Sequence, residues 1–571
     1  MNSEIRQCQN CKADFAIEPD DFGFYEKIGV PPPTFCPSCR IQLRMMFRND
    51  RTFYRRQCDL CKQNIIAVYP NDTPFPVYCV KCWWGDKWDP YQYGKDFDFS
   101  RPFFEQFKEL QSMVPALSIM NDNGVSSVNC EYTYDWFYSK NCYMDVSGWY
   151  ADNVLYSYHI EHNKDLADSM HMRENELDYE CLQCYKLFGC SFCTYCSECQ
   201  SCFLSFDLSG CTNCVMCVNL RNKSYCIKNK QYSKEEYQKE IEKMNLKSFH
   251  SIEKHKKEFA EFLLTFPHRY AYIKKSVNST GNFIINCKNS KHCFMAIAGE
   301  NLRYMFGSDT AKDTYDCDMT GKSELCYNSM VSDEAQRSAF NVFCFHSNGV
   351  VYSHYSPSAE WCFGCIGLKK GSYSILNKKY SREEYEKLKG EIIKHMIKTG
   401  EFGNFFPPWV SPFAYNESAT QELFPLTKNE AIARGYKWRE PNQKNYQITI
   451  KPDDLPDTIG EIPSDILEQV IGCAHAGVCN HKCTTAFKIV LNELNLYKKL
   501  NIPLPHLCPN CRHFNRLERR NPINLWHRKC MCKDPNHGHL DIQCPNEFET
   551  SYAPDRPEIV YCEECYNKEI Y

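Results

Sequence analysis

Cysteine pairs separated by two residues stand at both ends of this chain, and they constrain its fold more than any other feature. At the N-terminus four such pairs follow one another and form two complete sets: Cys8, Cys11, Cys36 and Cys39, then Cys58, Cys61, Cys79 and Cys82. One pair supplies two soft ligands from a tight turn, and two pairs close a tetrahedral site. The sequence therefore predicts two successive zinc ribbons at this end.

The C-terminal segment repeats the N-terminal one without gaps at an offset of 472 residues. The repeat includes cysteines, the aromatic and proline residues between them, and the arginines that follow. Beyond Cys530 the offset becomes 483, because eleven residues are inserted. We therefore expect two further zinc sites, and about four zinc ions in all. Their candidate ligands are Cys479, Cys483, Cys508, Cys511, Cys530, Cys532, Cys544, Cys562 and Cys565.

One ligand of the third site is left open by the sequence. Asn480 replaces the equivalent of Cys8, and the simplest substitute is Cys479, which would give a pair separated by three residues. The alternatives are His481, His475 and Cys473.

The fourth site has a similar ambiguity. The inserted residues include Cys532, which can take the place of Cys530 or of Cys544. The spacing alone does not choose among these three cysteines.

The segment from Cys8 to Arg40, with its cysteine pairs, Phe15 and the phrase Pro-x-x-Cys-Pro-x-Cys-Arg, resembles the small "probable zinc-binding" ribbon domain of many uncharacterised bacterial proteins. Phrases such as Asp-Phe-Asp-Phe-Ser-Arg-Pro-Phe-Phe at 96–104 make most of the chain similar to a family of uncharacterised cysteine-rich proteins of reduced-genome bacteria. The resemblance implies zinc binding and brings no activity with it.

The middle of the chain contains short phrases that recur every 10 to 13 residues, and residues 129–229 recur near 283–377 at an offset of 148. Such phrases place apolar residues between polar turn residues, which is typical of a parallel β-solenoid. After each copy, Ser233 and Ser381 precede a glutamate by three residues, and this capping box predicts an amphipathic helix that caps the solenoid.

The resulting prediction is a multidomain, mostly β chain with some α. Double zinc ribbons at 1–105 and 471–571 flank two β-solenoid copies with capping helices, at 106–268 and 269–400, and a strap rich in proline and aromatic residues covers 401–470.

Eleven cysteines fall between Cys181 and Cys226. Most of their equivalents in the second copy are other small residues; Cys199, for example, falls on Ser347. This pattern favours packed core residues over obligatory ligands. An additional zinc site and redox or cluster chemistry are the alternatives.

Arginines follow the second cysteine pair at each end with helical spacing. We expect these two arginine faces to bind the phosphates of RNA or DNA. The alternative is that they pair with the protein's own acids. The candidate residues are Arg40, Arg44, Arg48, Arg51, Arg55, Arg512, Arg516 and Arg520.

Composition limits the remaining function classes. The 571 residues include 38 cysteines and have a net charge of −4, which excludes a globally basic nucleic-acid coat. With no apolar run of about 18 residues and no leader, we expect a cytoplasmic protein that does not bind membranes. No catalytic motif or small-molecule site is found, so we expect no enzyme. A protein-interaction scaffold that uses the solenoid faces, with structural zinc only, is the alternative to nucleic-acid binding.

Overall fold

The computed structural model describes residues 2–331, 333–440, 446–539 and 543–571. The N-terminal module begins with two antiparallel hairpins, each followed by a short helix. Its strands are Glu4–Gln7, Asp14–Ile17, Tyr54–Gln57, Asn64–Ala67, Val77–Tyr78 and Ala116–Leu117. Its helices are Pro19–Ile28, Pro37–Met45, Val80–Trp84 and Phe103–Met113, with a 3-10 turn at Pro90–Tyr93.

The first repeat block, residues 121–231, is a stack of parallel pairings that advance by twelve residues. Val146 pairs with Tyr158, which pairs with Met170, and single bridges continue the ladder through Leu182. The strands are Tyr134–Phe137, Val146–Trp149, Asp152–Leu155, Tyr158–Glu161, Lys164–Ala167, Met170–Arg173, Glu176–Tyr179, Thr212–Val215, Ser224–Ile227 and Lys230–Gln231. Only the last pairing, with Lys230–Gln231, is antiparallel.

The second repeat block, residues 273–379, follows the same rule. Phe294 pairs with Phe306 and Phe306 with Asp318, again twelve residues apart. The strands are Ile273–Lys274, Gly281–Ile285, Cys293–Ile297, Glu300–Arg303, Phe306–Asp309, Lys312–Tyr315, Asp318–Gly321, Glu360–Phe363, Ser372–Ile375 and Lys378–Lys379.

Through much of both blocks, every third residue has a left-handed backbone conformation, with positive φ. Asn141, Met144, Ser147, Tyr150 and Asn153, for example, all have φ between 53° and 58°. Asn and Asp tolerate this conformation better than other residues with a side chain, and they form ladders along one corner. In the first block Asn129, Asn141, Asn153 and Asp165 are linked by amide hydrogen bonds, and in the second Asn278, Asn289, Asn301 and Asp313 are linked in the same way.

Side chains that point inward from the turns fill the interior of each block. All eleven cysteines from Cys181 to Cys226 are buried. Their thiols donate weak hydrogen bonds to nearby carbonyls; the Sγ of Cys196 lies 3.4 Å from the carbonyl oxygen of Thr194. These cysteines form one buried cluster with apolar residues such as Val154 and Leu166.

The predicted capping boxes are present. The hydroxyl of Ser233 accepts from the backbone N–H of Glu236, and that of Ser381 accepts from Glu384. They begin the helices Lys234–Met244 and Arg382–Lys398, and a third helix covers Phe249–Leu263. Each of the two helices packs a tyrosine edge-to-face against the last parallel turn of its block, Tyr237 against Tyr225 and Tyr385 against Tyr373.

After the second block an irregular segment crosses the N-terminal module. The hydroxyl of Ser411 donates to the carbonyl of Met46, and that of Thr420 donates to the carbonyl of Gln42. The segment has helices at Thr420–Leu423 and Lys428–Ala433 and 3-10 turns at Pro408–Val410, Tyr415–Glu417, Pro452–Asp454 and Ile459–Glu461.

The C-terminal module repeats the arrangement of hairpins and helices. Its strands are Ile471–Gly472, Ala486–Phe487, Trp526–Lys529, Glu547–Thr550 and Ile559–Tyr561, and the last pairs with Pro267–Arg269. Its helices are Leu491–Leu500, Pro509–Arg519 and Glu563–Ile570, with a 3-10 turn at Pro535–His537.

The expectation of a mostly β chain is wrong, because helices hold 24% of residues and strands 26%. The reason is the short repeat. With a left-handed corner every three residues, many turns pair through single bridges and form no extended strand. Among the helices the structure describes, none is both long and apolar enough to cross a membrane.

Candidate metal centres

Each end module builds its cysteine sets from the same two local structures. The first pair of a set lies in the turn of a hairpin; Cys8 and Cys11, for example, lie between Glu4–Gln7 and Asp14–Ile17. The second pair begins a helix, with Cys36, Cys79, Cys508 and Cys562 each at an N-cap. A helix N-terminus favours a thiolate there, because its free N–H groups and dipole stabilise negative charge.

The two N-terminal sets come together as the spacing predicts. Site 1 contains Cys8, Cys11, Cys36 and Cys39, and site 2 contains Cys58, Cys61, Cys79 and Cys82. Within each set the ligand atoms lie within 4.8 Å of one another. The Sγ atoms of Cys11 and Cys36 are 3.6 Å apart, and those of Cys61 and Cys79 are 3.9 Å apart. Sulfur ligands of a tetrahedral zinc are separated by about 3.8 Å, so both sets match that geometry.

Site 3 takes a ligand other than the one that spacing favours. The structure groups Cys473 with Cys483, Cys508 and Cys511. In site 1 the backbone N–H of Cys36 donates to the Sγ of Cys8 at 3.2 Å, and in site 3 the N–H of Cys508 donates to the Sγ of Cys473 at 3.3 Å. Cys473 therefore occupies the place of Cys8.

Cys479, the simplest choice from spacing, lies in a second group instead. That group consists of His475, Cys479, His481 and Cys511.

Site 4 consists of Cys530, Cys544, Cys562 and Cys565, all of them buried. The N–H of Cys562 donates to the Sγ of Cys530 at 3.2 Å, as the N–H of Cys79 donates to Cys58 in site 2. Cys532 is not in this set, and its Sγ lies 3.1 Å from Nδ1 of His537. The hairpin thus still supplies two cysteines to the set, Cys530 and Cys544.

Backbone N–H groups stabilise the thiolate of Cys58 in site 2. Burial raises the pKa of Cys58, but hydrogen bonds from the backbone of Cys61, Cys79 and Leu60 outweigh it and bring that pKa down to about 7. A metal binds the thiolate, so less free energy is needed to deprotonate such a thiol. The chain carries several cysteine tetrads that can hold metal ions.

The two arginine faces were predicted to lie at the surface, but most of their arginines are buried. The first arginine helix, Pro37–Met45 with the residues that follow it, and the second arginine helix, Pro509–Arg519, both pack into the protein. Arg44 and Arg516 are completely buried. The other buried members of the predicted set are Arg40, Arg48, Arg51 and Arg512. Arg55 is exposed and Arg520 is half-buried, with its guanidinium over the ring of Phe306.

The arginines pair with acids of the repeat blocks. Arg40 forms an ion pair of 2.9 Å with Asp316, and Arg44 pairs with Asp318. In the other half Arg512 and Arg516 both pair with Asp168, at 3.2 and 2.9 Å. Arg48 pairs with Asp50 and, at 2.9 Å, with Asp135. A phosphate would have to displace these partners to bind the buried arginines, and nucleic-acid binding by them is not shown.

The docking of each end module on a repeat block is itself duplicated. The N-terminal module contacts the second block through Arg40 and Arg44, and the C-terminal module contacts the first block through Arg512 and Arg516. Arg40 and Arg512 are 472 residues apart, and their partners Asp316 and Asp168 are 148 apart. These are the two internal repeat distances of the sequence.

Neighbouring contacts follow the same two offsets. Lys27 pairs with Asp313 at 2.8 Å and Lys499 with Asp165 at 2.9 Å. Tyr25 packs against Tyr327 and Tyr497 against Tyr179, with ring centroids 5.4 Å apart in both halves. One docking geometry has therefore been kept in both halves of the chain.

No protein-family model matches this chain, and no curated protein matches it. The resemblance to a family of cysteine-rich bacterial proteins thus stays a prediction.

The aspartates that receive the arginines were missed by reasoning from the sequence. A signal for them was present, because Asp168 and Asp316 are equivalent in the internal repeat and share its offset of 148. Both aspartates lie at corners with left-handed backbone, Asp168 with φ 52° and Asp316 with φ 57°. An acid that occurs in both copies of a repeat is a candidate to pair with arginines that also occur twice.

Proposed function

We propose that this protein is a zinc-stabilised scaffold that binds a protein partner through an exposed aromatic row on its first repeat block. The aromatic row consists of Tyr138, Tyr150 and His162, which lie twelve residues apart at one corner of the stack. The arginine faces are occupied by internal docking, so this row supports an external interface better than they do.

The geometry of the aromatic row is the observation that carries this proposal. The rings of Tyr138 and Tyr150 are stacked, with centroids 5.3 Å apart and 12° between their planes. Those of Tyr150 and His162 are 4.7 Å apart at 6°. Tyr138 is 55% exposed and Tyr150 is 53% exposed. Stacked rings held at the surface form a rigid apolar patch, and exposed tyrosines are typical of binding hot spots.

The repeat blocks suit a scaffold because parallel hydrogen-bonded ladders hold their backbone from turn to turn. We infer that both are parallel β-solenoids, supported by the twelve-residue parallel register and the left-handed corner at every third residue. A partner that binds a rigid surface causes little loss of conformational entropy in the scaffold.

The metal in this proposal is zinc with a structural role. Sites 1 to 4 each offer four sulfur ligands, which is typical of structural zinc sites and leaves no coordination position for a reacting water. Zinc at the two ends would fix the hairpins and helices that dock on the repeat blocks. We therefore propose no catalytic role for these four sites.

The test is capture of partners from native lysate by the full chain, with and without nuclease. The variant Tyr138→Ser with Tyr150→Ser should lose at least about tenfold in affinity, because two hot-spot tyrosines are worth about 1 kcal/mol or more each. The control is Tyr446→Ser, since Tyr446 is 48% exposed outside the repeat blocks.

Capture that resists nuclease, fails with the double variant and persists with the control supports the scaffold. Capture that nuclease abolishes, or that the double variant retains in full, would overturn it. Nuclease-sensitive capture with steep salt dependence would favour nucleic acid instead. Circular dichroism and zinc content of each variant establish that the fold is intact.

A further inference from the structure

The hairpin turn of site 3 contains more ligand-type side chains than one metal needs. In site 1 the corresponding turn supplies two, Cys8 and Cys11. In site 3 the turn supplies Cys473 and Cys483 to the tetrad, and three more side chains of metal-binding type lie between them. These three are His475, Cys479 and His481.

The three additional side chains converge on a ligand of site 3. Together with Cys511 they form a group whose ligand atoms all lie within 4.8 Å of one another. The Sγ of Cys511 is 3.6 Å from the Sγ of Cys479 and 3.8 Å from the Sγ of Cys473. Both distances match two sulfurs on one tetrahedral zinc, for which about 3.8 Å is expected. Cys511 thus lies at ligand distance from both groups.

The two histidines present nitrogens that are free to bind. Nδ1 of His475 and Nδ1 of His481 are buried and have no hydrogen-bond partner among the described residues. Nε2 of His481 lies 3.1 Å from a carboxylate oxygen of Glu518. A carboxylate on one ring nitrogen orients the ring and leaves the other nitrogen for the metal, which is a common arrangement around metal-bound histidine.

We propose that site 3 is a dinuclear zinc centre in which the thiolate of Cys511 bridges two ions. One ion is held by Cys473, Cys483, Cys508 and Cys511. The other is held by His475, Cys479, His481 and Cys511.

Charge favours the second ion. Four thiolates and one Zn²⁺ sum to −2, whereas the five thiolates and two Zn²⁺ of the dinuclear centre sum to −1. The second ion therefore lowers the charge concentrated in the partly buried turn, where charge is costly. It also supplies partners for the two free imidazole nitrogens, which are otherwise unsatisfied.

The first module provides a matched control within the same chain. Gln9 occupies the place of His481, because the two are 472 residues apart. Site 1 has four cysteines as its ligands and accounts for one ion. The variants Cys479→Ala and His475→Ala should each lose one zinc per chain from the full-length protein, and Gln9→Ala should lose none. Native mass spectrometry under reducing conditions gives this count.

A second measurement tests the bridge itself. The full-length protein is loaded with ¹¹³Cd, and the cadmium spectrum is recorded for the wild type and for Cys479→Ala. A bridging thiolate produces scalar coupling between one resonance with four sulfur ligands and one with mixed sulfur and nitrogen ligands. Both the coupling and the mixed resonance should vanish in Cys479→Ala, while the resonances of sites 1, 2 and 4 persist.

Loss of one ion together with loss of the coupling establishes the dinuclear centre. An unchanged zinc count in Cys479→Ala and His475→Ala would overturn it. A mixed-ligand resonance without coupling would also overturn the bridge, because the two ions would then be held separately. Neither outcome depends on whether the aromatic row binds a partner.

Discussion

Replacing Arg44 should weaken the packing of the N-terminal module on the second repeat block. Arg44 and Asp318 form an ion pair in which both side chains are 0% exposed. Nη1 of Arg44 also donates to Oδ1 of Asn328 at 2.9 Å. The change Arg44→Met keeps much of the apolar volume of the side chain but removes the cation. It leaves the carboxylate of Asp318 buried without its partner.

The size of the effect follows from that uncompensated charge. Removing one member of a buried ion pair costs about 3–5 kcal/mol. Burial already raises the pKa of Asp318 to about 6 even with Arg44 beside it. Without Arg44 this pKa rises further, so the folded variant takes up a proton on Asp318 more readily.

The pH dependence has a definite sign. A carboxyl whose pKa is higher in the folded state than in the unfolded state contributes stability below its unfolded pKa and loses it as pH rises through the folded pKa. For Asp318 the stability is lost over a pH range that begins near pH 4 and ends near pH 6 in the wild type. In the variant this range extends to a higher pH. Arg44→Met should therefore be less destabilising at pH 6.5 than at pH 8.

Hydrogen exchange with mass spectrometry is the suitable assay, because a chain of several modules does not unfold in one step. Protection should fall in Pro37–Met45 and in Asp318–Gly321. Combining Arg44→Met with Asp318→Leu should recover most of the lost protection, because it replaces the pair with apolar side chains. The control Arg55→Met alters an exposed arginine and should change stability by no more than about 0.5 kcal/mol.

The docking argument fails if Arg44→Met exchanges no faster than Arg55→Met. It also fails if the double variant is no better protected than Arg44→Met alone. Equal effects at pH 6.5 and pH 8 would show that protonation of Asp318 contributes nothing to the cost.

Three further outcomes are expected. Gly281→Ala should destabilise the second block by about 3 kcal/mol or more, because φ is +136° and a Cβ would stand 1.8 Å from the carbonyl oxygen of Cys293. Gly390→Ala, where a Cβ meets nothing within 4 Å, should stabilise its helix by about 0.5–1 kcal/mol. Hydrogen exchange in Gly281–Ile285 and in Arg382–Lys398 measures the two effects. Ser381→Ala should cost about 1 kcal/mol and speed amide exchange in the first turn of Arg382–Lys398; unchanged exchange there would contradict the cap. Chelation under reducing conditions should expose the end modules to protease before the repeat blocks, and simultaneous cleavage of both would argue against metal-dependent ends.

Much of the local structure could be predicted from the sequence. Pairs of cysteines separated by two residues are typical of metal sites, and the eight N-terminal cysteines come together in two sets of four, as their spacing predicts. A serine three residues before a glutamate satisfies the first N–H groups of a helix locally, and both capping boxes are present. The offsets of 472 and 148 also predicted that each feature would occur twice.

Only the tertiary structure determines the contacts between residues that are far apart in the chain. Cys473 displaced Cys479 in site 3 because an N–H of Cys508 reaches it across the module, which spacing does not encode. Arg40, for example, is buried against Asp316, which lies 276 residues away at a corner of the second block. Helical spacing shows that arginines share a face, but only packing determines whether that face meets solvent or an acid.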